Sequence, residues 1–162
     1  MTDVNEALLE MIDLLKQRYS QTEEQGSKSF SPEYLEELYA MAFELYKNGK
    51  YEDAKAFFRF LTLADPFERK FWMGIAACNQ LLKDYQEAIN CYSAAALQDP
   101  SDPYAHWYAA DCYFHAGNLP KAKEALQSAL KTATESSHHQ ALLPKLEVQI
   151  EAWTKLPHGE LK

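Results

Sequence analysis

Glycine and proline are scarce in this chain, 5 and 7 in 162 residues. A β-sandwich or barrel needs a turn every 8–12 residues or so, and too few turn-forming residues are present to supply them. Basic residues are also short, 16 against 24 acidic, for a net charge of −8. That balance argues against nucleic acid as a partner, because neutralising a phosphate backbone takes clustered lysine and arginine. The three cysteines, Cys78, Cys91 and Cys112, form an odd set without C-x-x-C spacing. They fit reduced, buried, small apolar residues better than a disulfide framework or a zinc site. No apolar run approaches the roughly 18 residues that would cross a bilayer, and acids stand at the N-terminus where a signal peptide has bases. The expectation is a cytoplasmic protein without stable membrane insertion. What the chain does have is apolar residues, 47%, and aromatic ones, 13%. An all-α, acidic, aromatic-rich domain is the class these proportions favour.

A period of 34 residues organises the chain. Asp65-Pro66 and Asp99-Pro100 are separated by it, and the same shift superposes Ala42, Ala76 and Ala110. It also superposes Ala54 with Ala88 and Ala122, Leu38 with Trp72 and His106, and Phe58 with Tyr92 and Leu126. Gly49 and Gly117 coincide, with Lys83 between them, and Cys78 falls on Cys112. The period has a physical reading. Alanines let two antiparallel helices approach closely, and the large residues fill the space around that contact. Glycine suits the left-handed residue that ends the first helix, acids at Glu52, Asp53 and Glu87 meet the positive end of the second, and Asp-Pro stops it.

This pattern resembles the tetratricopeptide repeat. Three units are expected at about 35–68, 69–102 and 103–136, the third ending on Thr134 in place of proline. Leu142, Leu146, Ile150 and Trp153 then share one face of a capping helix, in which Pro144 marks either the first turn or a kink. The resulting domain runs over 31–156, with Ser31 as N-cap and Pro32 at the first helical position, and leaves a tail at 157–162. Ahead of it, residues 1–30 read as an amphipathic helix and a polar linker. The helix stripe includes Leu8, Met11, Ile12 and Leu15, and it suits either a second copy of the chain or the end of the solenoid, with dimerisation preferred.

In stacked repeats the first helix of each pair lines a concave face. By position that face should carry Glu36, Tyr39, Phe43, Tyr46 and Lys47, then Lys70, Met73, Ala77, Gln80 and Leu81, then Tyr104, Trp107, Asp111, Phe114 and His115. So many exposed rings mark a binding surface, and rigid aromatics with an adaptable methionine suit an extended peptide. Tetratricopeptide domains that hold chaperone C-termini use a basic carboxylate clamp. Here Tyr39 and Phe43 replace two of its residues, and Tyr104 and Tyr108 two more, so an apolar rather than an anionic ligand is expected.

The runs Leu38–Ala54, Phe57–Leu61 and Phe71–Cys78 are more specific. They resemble the class II chaperones of bacterial type III secretion, over about residues 31–155. The resemblance implies a cytoplasmic bacterial holdase. It would bind hydrophobic translocator proteins through an extended segment in the concave groove and prevent their aggregation or premature association, and it would be a homodimer without its client. Carried over by position, it implies peptide contacts at Tyr39, Phe43, Tyr46 and Tyr51, with Phe67, Met73, Tyr104 and Trp107 as further lining; Phe114 joins the expected peptide contacts from its place on the concave face. A general tetratricopeptide scaffold without a chaperone role is the alternative.

Catalysis is not expected. His138 and His139 are adjacent, so on a helix they point about 100° apart and cannot share a metal without other ligands. Asp111 and His115 lie one turn apart and fit polar tuning of a groove better than an acid–base pair. Neither a glycine-rich phosphate loop nor a nucleophile elbow is present. No metal and no cofactor are expected.

Overall fold

The computed structural model describes residues 30–156. The chain divides into two units, Met1–Pro32 and Glu33–Lys162, and apart from Pro32 the elements below belong to the second. The expected N-terminal helix, with Leu8, Met11, Ile12 and Leu15, lies outside the described residues, as do nearly all of the polar linker and the tail at 157–162.

Seven α-helices and one 3-10 segment make up the described chain: α1 Pro32–Lys47, α2 Tyr51–Ala64, α3 Arg69–Leu81, α4 Tyr85–Gln98, α5 Tyr104–His115, α6 Leu119–Glu135, the 3-10 segment Ser137–Leu142, and α7 Leu143–Thr154. From α2 onward each helix packs on the next in sequence, and Tyr39 of α1 meets Phe58 of α2 with ring centroids 5.8 Å apart. This neighbour-on-neighbour packing is that of a solenoid.

The alanines are where the close approach happens. Ala42, Ala76, Ala110, Ala54, Ala88 and Ala122 are all fully buried, and Leu38, Phe58, Tyr92 and Leu126 are buried around them. Burying each of the large side chains is worth roughly 1.5–3 kcal/mol. Trp72 and His106, one period on from Leu38, are only half-buried, and the Trp72 indole donates to the Pro66 carbonyl at 2.8 Å.

The turn within each pair is built three times the same way. The amides of Lys50, Asp84 and Asn118 donate to the carbonyls of Leu45, Asn79 and Tyr113, at 2.9, 2.9 and 2.8 Å. That bond, with a left-handed residue before it, is the Schellman closure of a helix. The left-handed residues are Gly49, Lys83 and Gly117, with φ of 77°, 64° and 79°. The 34-residue register therefore includes a lysine held where glycine costs least.

Helix length follows the prolines. α2 and α4 have 14 residues each and stop at Asp65 and Asp99, just before Pro66 and Pro100, whereas α6 has 17 and runs through Thr134. Without a proline the third exit is delayed by about one turn. Pro144 sits in the first turn of α7, where its missing N–H costs nothing, so it starts that helix rather than kinking it. Leu142, Leu146 and Trp153 are buried against α6 residues Leu126, Ala129 and Ala133, with Ile150 half-buried beside them; Leu142 reaches this cluster from the 3-10 segment.

Candidate functional site

The first helices of the three pairs enclose a groove of about 610 Å³. From α1 come Tyr39, Phe43 and Tyr46, which stand on one face at i, i+4 and i+7 and form a ladder. Tyr39 and Phe43 are 6.3 Å apart between centroids and nearly parallel, as are Phe43 and Tyr46, also at 6.3 Å. From α3 come Arg69, Lys70, Met73, Gly74, Ala77, Gln80 and Leu81, and from α5 and the turn before it Tyr104, Tyr108 and Asp102. Phe58 and Tyr92, from the second helices, form the floor.

Tyr39, Phe43, Tyr46, Met73 and Tyr104 thus come together around one concavity. Tyr51 is not among the residues enclosing the groove, and its ring lies 5.7 Å from that of Tyr46. Phe67, in the loop after α2, is 79% exposed and is not among the residues enclosing the groove. Trp107 and Phe114 face the C-terminal segment instead. Trp107 Nε1 donates to Gln149 Oε1 at 2.7 Å, and the Phe114 ring stacks on Trp153 at 4.7 Å and 8°. The reason is positional. Repeat register puts these two residues on the same face as Met73 and Gln80, but the last repeat has α7 beside it, and α7 takes that face.

The polar atoms of the groove are tied down. Tyr92 Oη donates to Gln80 Oε1 (2.7 Å), and Gln80 Nε2 donates to Asp111 Oδ2 (2.9 Å). His115 Nε2 lies 3.7 Å from the same carboxylate oxygen, and its ring stacks on Tyr85. Burial is the main influence pushing the phenols of Tyr46, Tyr92 and Tyr108 above the ordinary tyrosine range. These tyrosines are therefore uncharged at neutral pH, apolar in the body of each ring with hydroxyls at their tips.

Among the described residues no group of three His, Cys, Asp or Glu side chains could hold a metal ion. Cys78, Cys91 and Cys112 are free and buried. Burial raises their thiols to about 12, about 11 and about 12, so the nucleophilic thiolate is scarce at neutral pH. Among the described residues no helix is long and apolar enough to cross a membrane.

Tetratricopeptide-repeat family models match residues 39–89 and 81–146. The low calcium response locus protein H of Yersinia pestis is 34% identical over 122 residues, covering 75% of this chain and 73% of the relative. The type III secretion translocator chaperone SycD of Yersinia enterocolitica, solved as an alternative dimer, is 32% identical with a TM-score of 0.72 over 76% of this chain and 94% of SycD. The chain belongs to the type III secretion translocator chaperones. Solved complexes in this family hold translocator segments. PcrH of Pseudomonas aeruginosa, with the chaperone binding region of PopD, has a TM-score of 0.74 and 34% identity over 77% of this chain and 94% of PcrH. SycD has also been solved with a peptide of the translocator YopD.

For this translocator chaperone, position within the repeat misses part of the lining. Arg69 and Asp102 lie in the groove wall, joined by an ion pair of 2.9 Å between Arg69 Nη2 and Asp102 Oδ2. Their separation of 33 residues, one short of the period, is the only signal the sequence carries for the pairing. Gly74 is the other omission. It opens the groove floor beneath the Phe58 ring, and a lone glycine inside a helix does mark a close approach.

Proposed function

We propose that this protein is a chaperone of the bacterial cytoplasm that binds hydrophobic translocator proteins of a type III secretion system. An extended client segment lies in the groove between α1, α3 and α5, and the bound client is kept from aggregating or associating before secretion. The observation that carries this reading is the ladder of Tyr39, Phe43 and Tyr46 facing Met73 and Tyr104 across an open concavity. The fold is shared with PcrH and SycD, which hold segments of PopD and YopD.

The physical logic is that of burying area with little loss of freedom. Rings held on helices are already ordered, so little side-chain entropy is lost when a peptide covers them. A client segment that would aggregate in water gains the transfer of its apolar side chains into the groove, at about 25 cal/mol per Å². No bond is made or broken, and release needs only competition for the segment. Tyr51 supports the first-repeat wall through its contact with Tyr46. We assign Trp107 and Phe114 to the joint with α7.

Leu8, Met11, Ile12 and Leu15 are proposed to bring two copies together in the absence of client. Co-expression with a translocator tests the chaperone reading: the client should stay soluble with the intact protein and aggregate with the Tyr39→Ala/Phe43→Ala variant. A client that is equally soluble with both, or with neither, overturns it. Light scattering on the intact chain and on one lacking residues 1–20 tests the dimer, which fails if the intact chain is a monomer at micromolar concentration.

A further inference from the structure

Arg69 and Lys70 occupy the first turn of α3, the positive end of the helix dipole, where acids are favoured and bases are not. Sequences break a local preference of this kind mainly where function requires it. Both residues line the groove. Both are paired: Arg69 with Asp102, at the opposite end of the same repeat, and Lys70 with Glu36 of the preceding one. Asp102 is shared, since its Oδ1 also accepts the Tyr104 amide at 2.7 Å. The ion pair is made at Nη2, and Arg69 Nε is buried with no hydrogen-bond partner, so a fork that takes carboxylates in pairs of bonds is not fully used. Lys70 Nζ stands 4.7 Å from the centroid of the Tyr39 ring, at the edge of the aromatic ladder.

Within the lining, Arg69 and Lys70 face the single carboxylate of Asp102; Glu36, which balances Lys70, lies outside the lining with a 61% exposed side chain, where an ion pair is weak. The surrounding walls are rings, and a charge pair gains strength where water is partly excluded. We propose that the client segment carries an aspartate or glutamate whose carboxylate docks against Arg69 and Lys70, fixing the register of an otherwise apolar peptide. This inference rests on the groove reading and adds a polar selectivity to it. Because the protein as a whole repels acidic ligands, the contact acts at short range and selects among apolar segments, without steering them from a distance.

The test varies the peptide, so that folding of the protein is not at issue. The chaperone binding region of PopD, held by the related PcrH, serves as host. Each of its positions is replaced in turn by Glu, Gln and Lys, and binding to the full chain is followed by fluorescence anisotropy. The expected result is one position at which Glu binds about tenfold more tightly than Gln, and Lys more weakly than either, as for a charge-assisted contact. The preference should shrink in roughly 0.5 M salt. It should vanish in Arg69→Gln/Lys70→Gln and survive in Arg69→Lys/Lys70→Arg, which keeps both charges.

Host binding that Phe43→Ala weakens, without a glutamate preference at any position, overturns the acidic contact and leaves the groove standing. A preference that persists in Arg69→Gln/Lys70→Gln does the same. Host binding that is absent, or indifferent to Phe43→Ala, overturns the groove reading and this inference with it.

Discussion

A Cβ at position 74 would lie 2.5 Å from Cδ1 of Phe58. Gly74 is in the middle of α3, where alanine would ordinarily be the better residue by up to about 1 kcal/mol. The Phe58 ring is buried and forms the groove floor, so it cannot swing away into solvent. Gly74→Ala is expected to destabilise the protein by about 1–3 kcal/mol, as overpacking does, and to raise the floor under a bound peptide. Denaturant unfolding with an unchanged m-value checks the first expectation, and peptide titration the second. A stabilised variant would mean that the two helices can move apart.

Lys83 holds a left-handed backbone, φ 64°, at the position that Gly49 and Gly117 occupy in the other repeats. The left-handed conformation costs a residue with a Cβ roughly 1–2 kcal/mol, partly offset by the extra freedom glycine has when unfolded. Lys83→Gly should therefore stabilise by about 0.5–1 kcal/mol and leave peptide binding unchanged. Thermal unfolding shows the difference, and a lower melting temperature would contradict it.

Phe43 and Phe114 should separate binding from stability. Phe43 is 43% exposed, so Phe43→Ala is expected to cost under about 1 kcal/mol of stability and at least about tenfold in peptide affinity. Phe114 is stacked on Trp153, and truncating it should cost about 2–3 kcal/mol through the cavity left at α7. Its peptide affinity should be unchanged under conditions where the variant is folded. Calorimetric titration beside unfolding curves on both variants gives the comparison, and a crossed result would reassign the two residues.

The buried thiols set an alkaline limit. Cys78 and Cys112 ionise at about 12 in the fold and Cys91 at about 11, against an ordinary value of 9.0. A group whose folded value is raised contributes stability that is complete below its unfolded value and lost as pH climbs through the folded one. Stability should thus hold to about pH 9 and fall between there and pH 12. Thiol titration with a disulfide reagent at pH 8 should be slow in the native protein and fast in denaturant. Rapid native labelling would show that the core opens locally.

Periodic features of the fold are legible in the sequence. The 34-residue shift places the alanine contacts, the left-handed turns and the Asp-Pro exits, because each repeat solves the same packing problem with the same residue types. Helical spacing alone puts Tyr39, Phe43 and Tyr46 on one face. It does not separate Trp107 and Phe114 from them. Their spacing is equivalent, and only the presence of α7 beside the last repeat removes them from the groove.

The aromatic surplus and the shortage of turn-forming residues therefore determine a repeat solenoid with a ring-lined inner face. Which rings remain open, and which charges join them, is decided by tertiary packing. Arg69 meets Asp102 from the opposite end of its repeat, and Phe58 meets Gly74 at a helix crossing. Contacts of that kind depend on how neighbouring repeats are stacked and where the stack ends. A pattern repeated along one helix fixes the direction of a side chain from its own axis and carries no information about what stands opposite it.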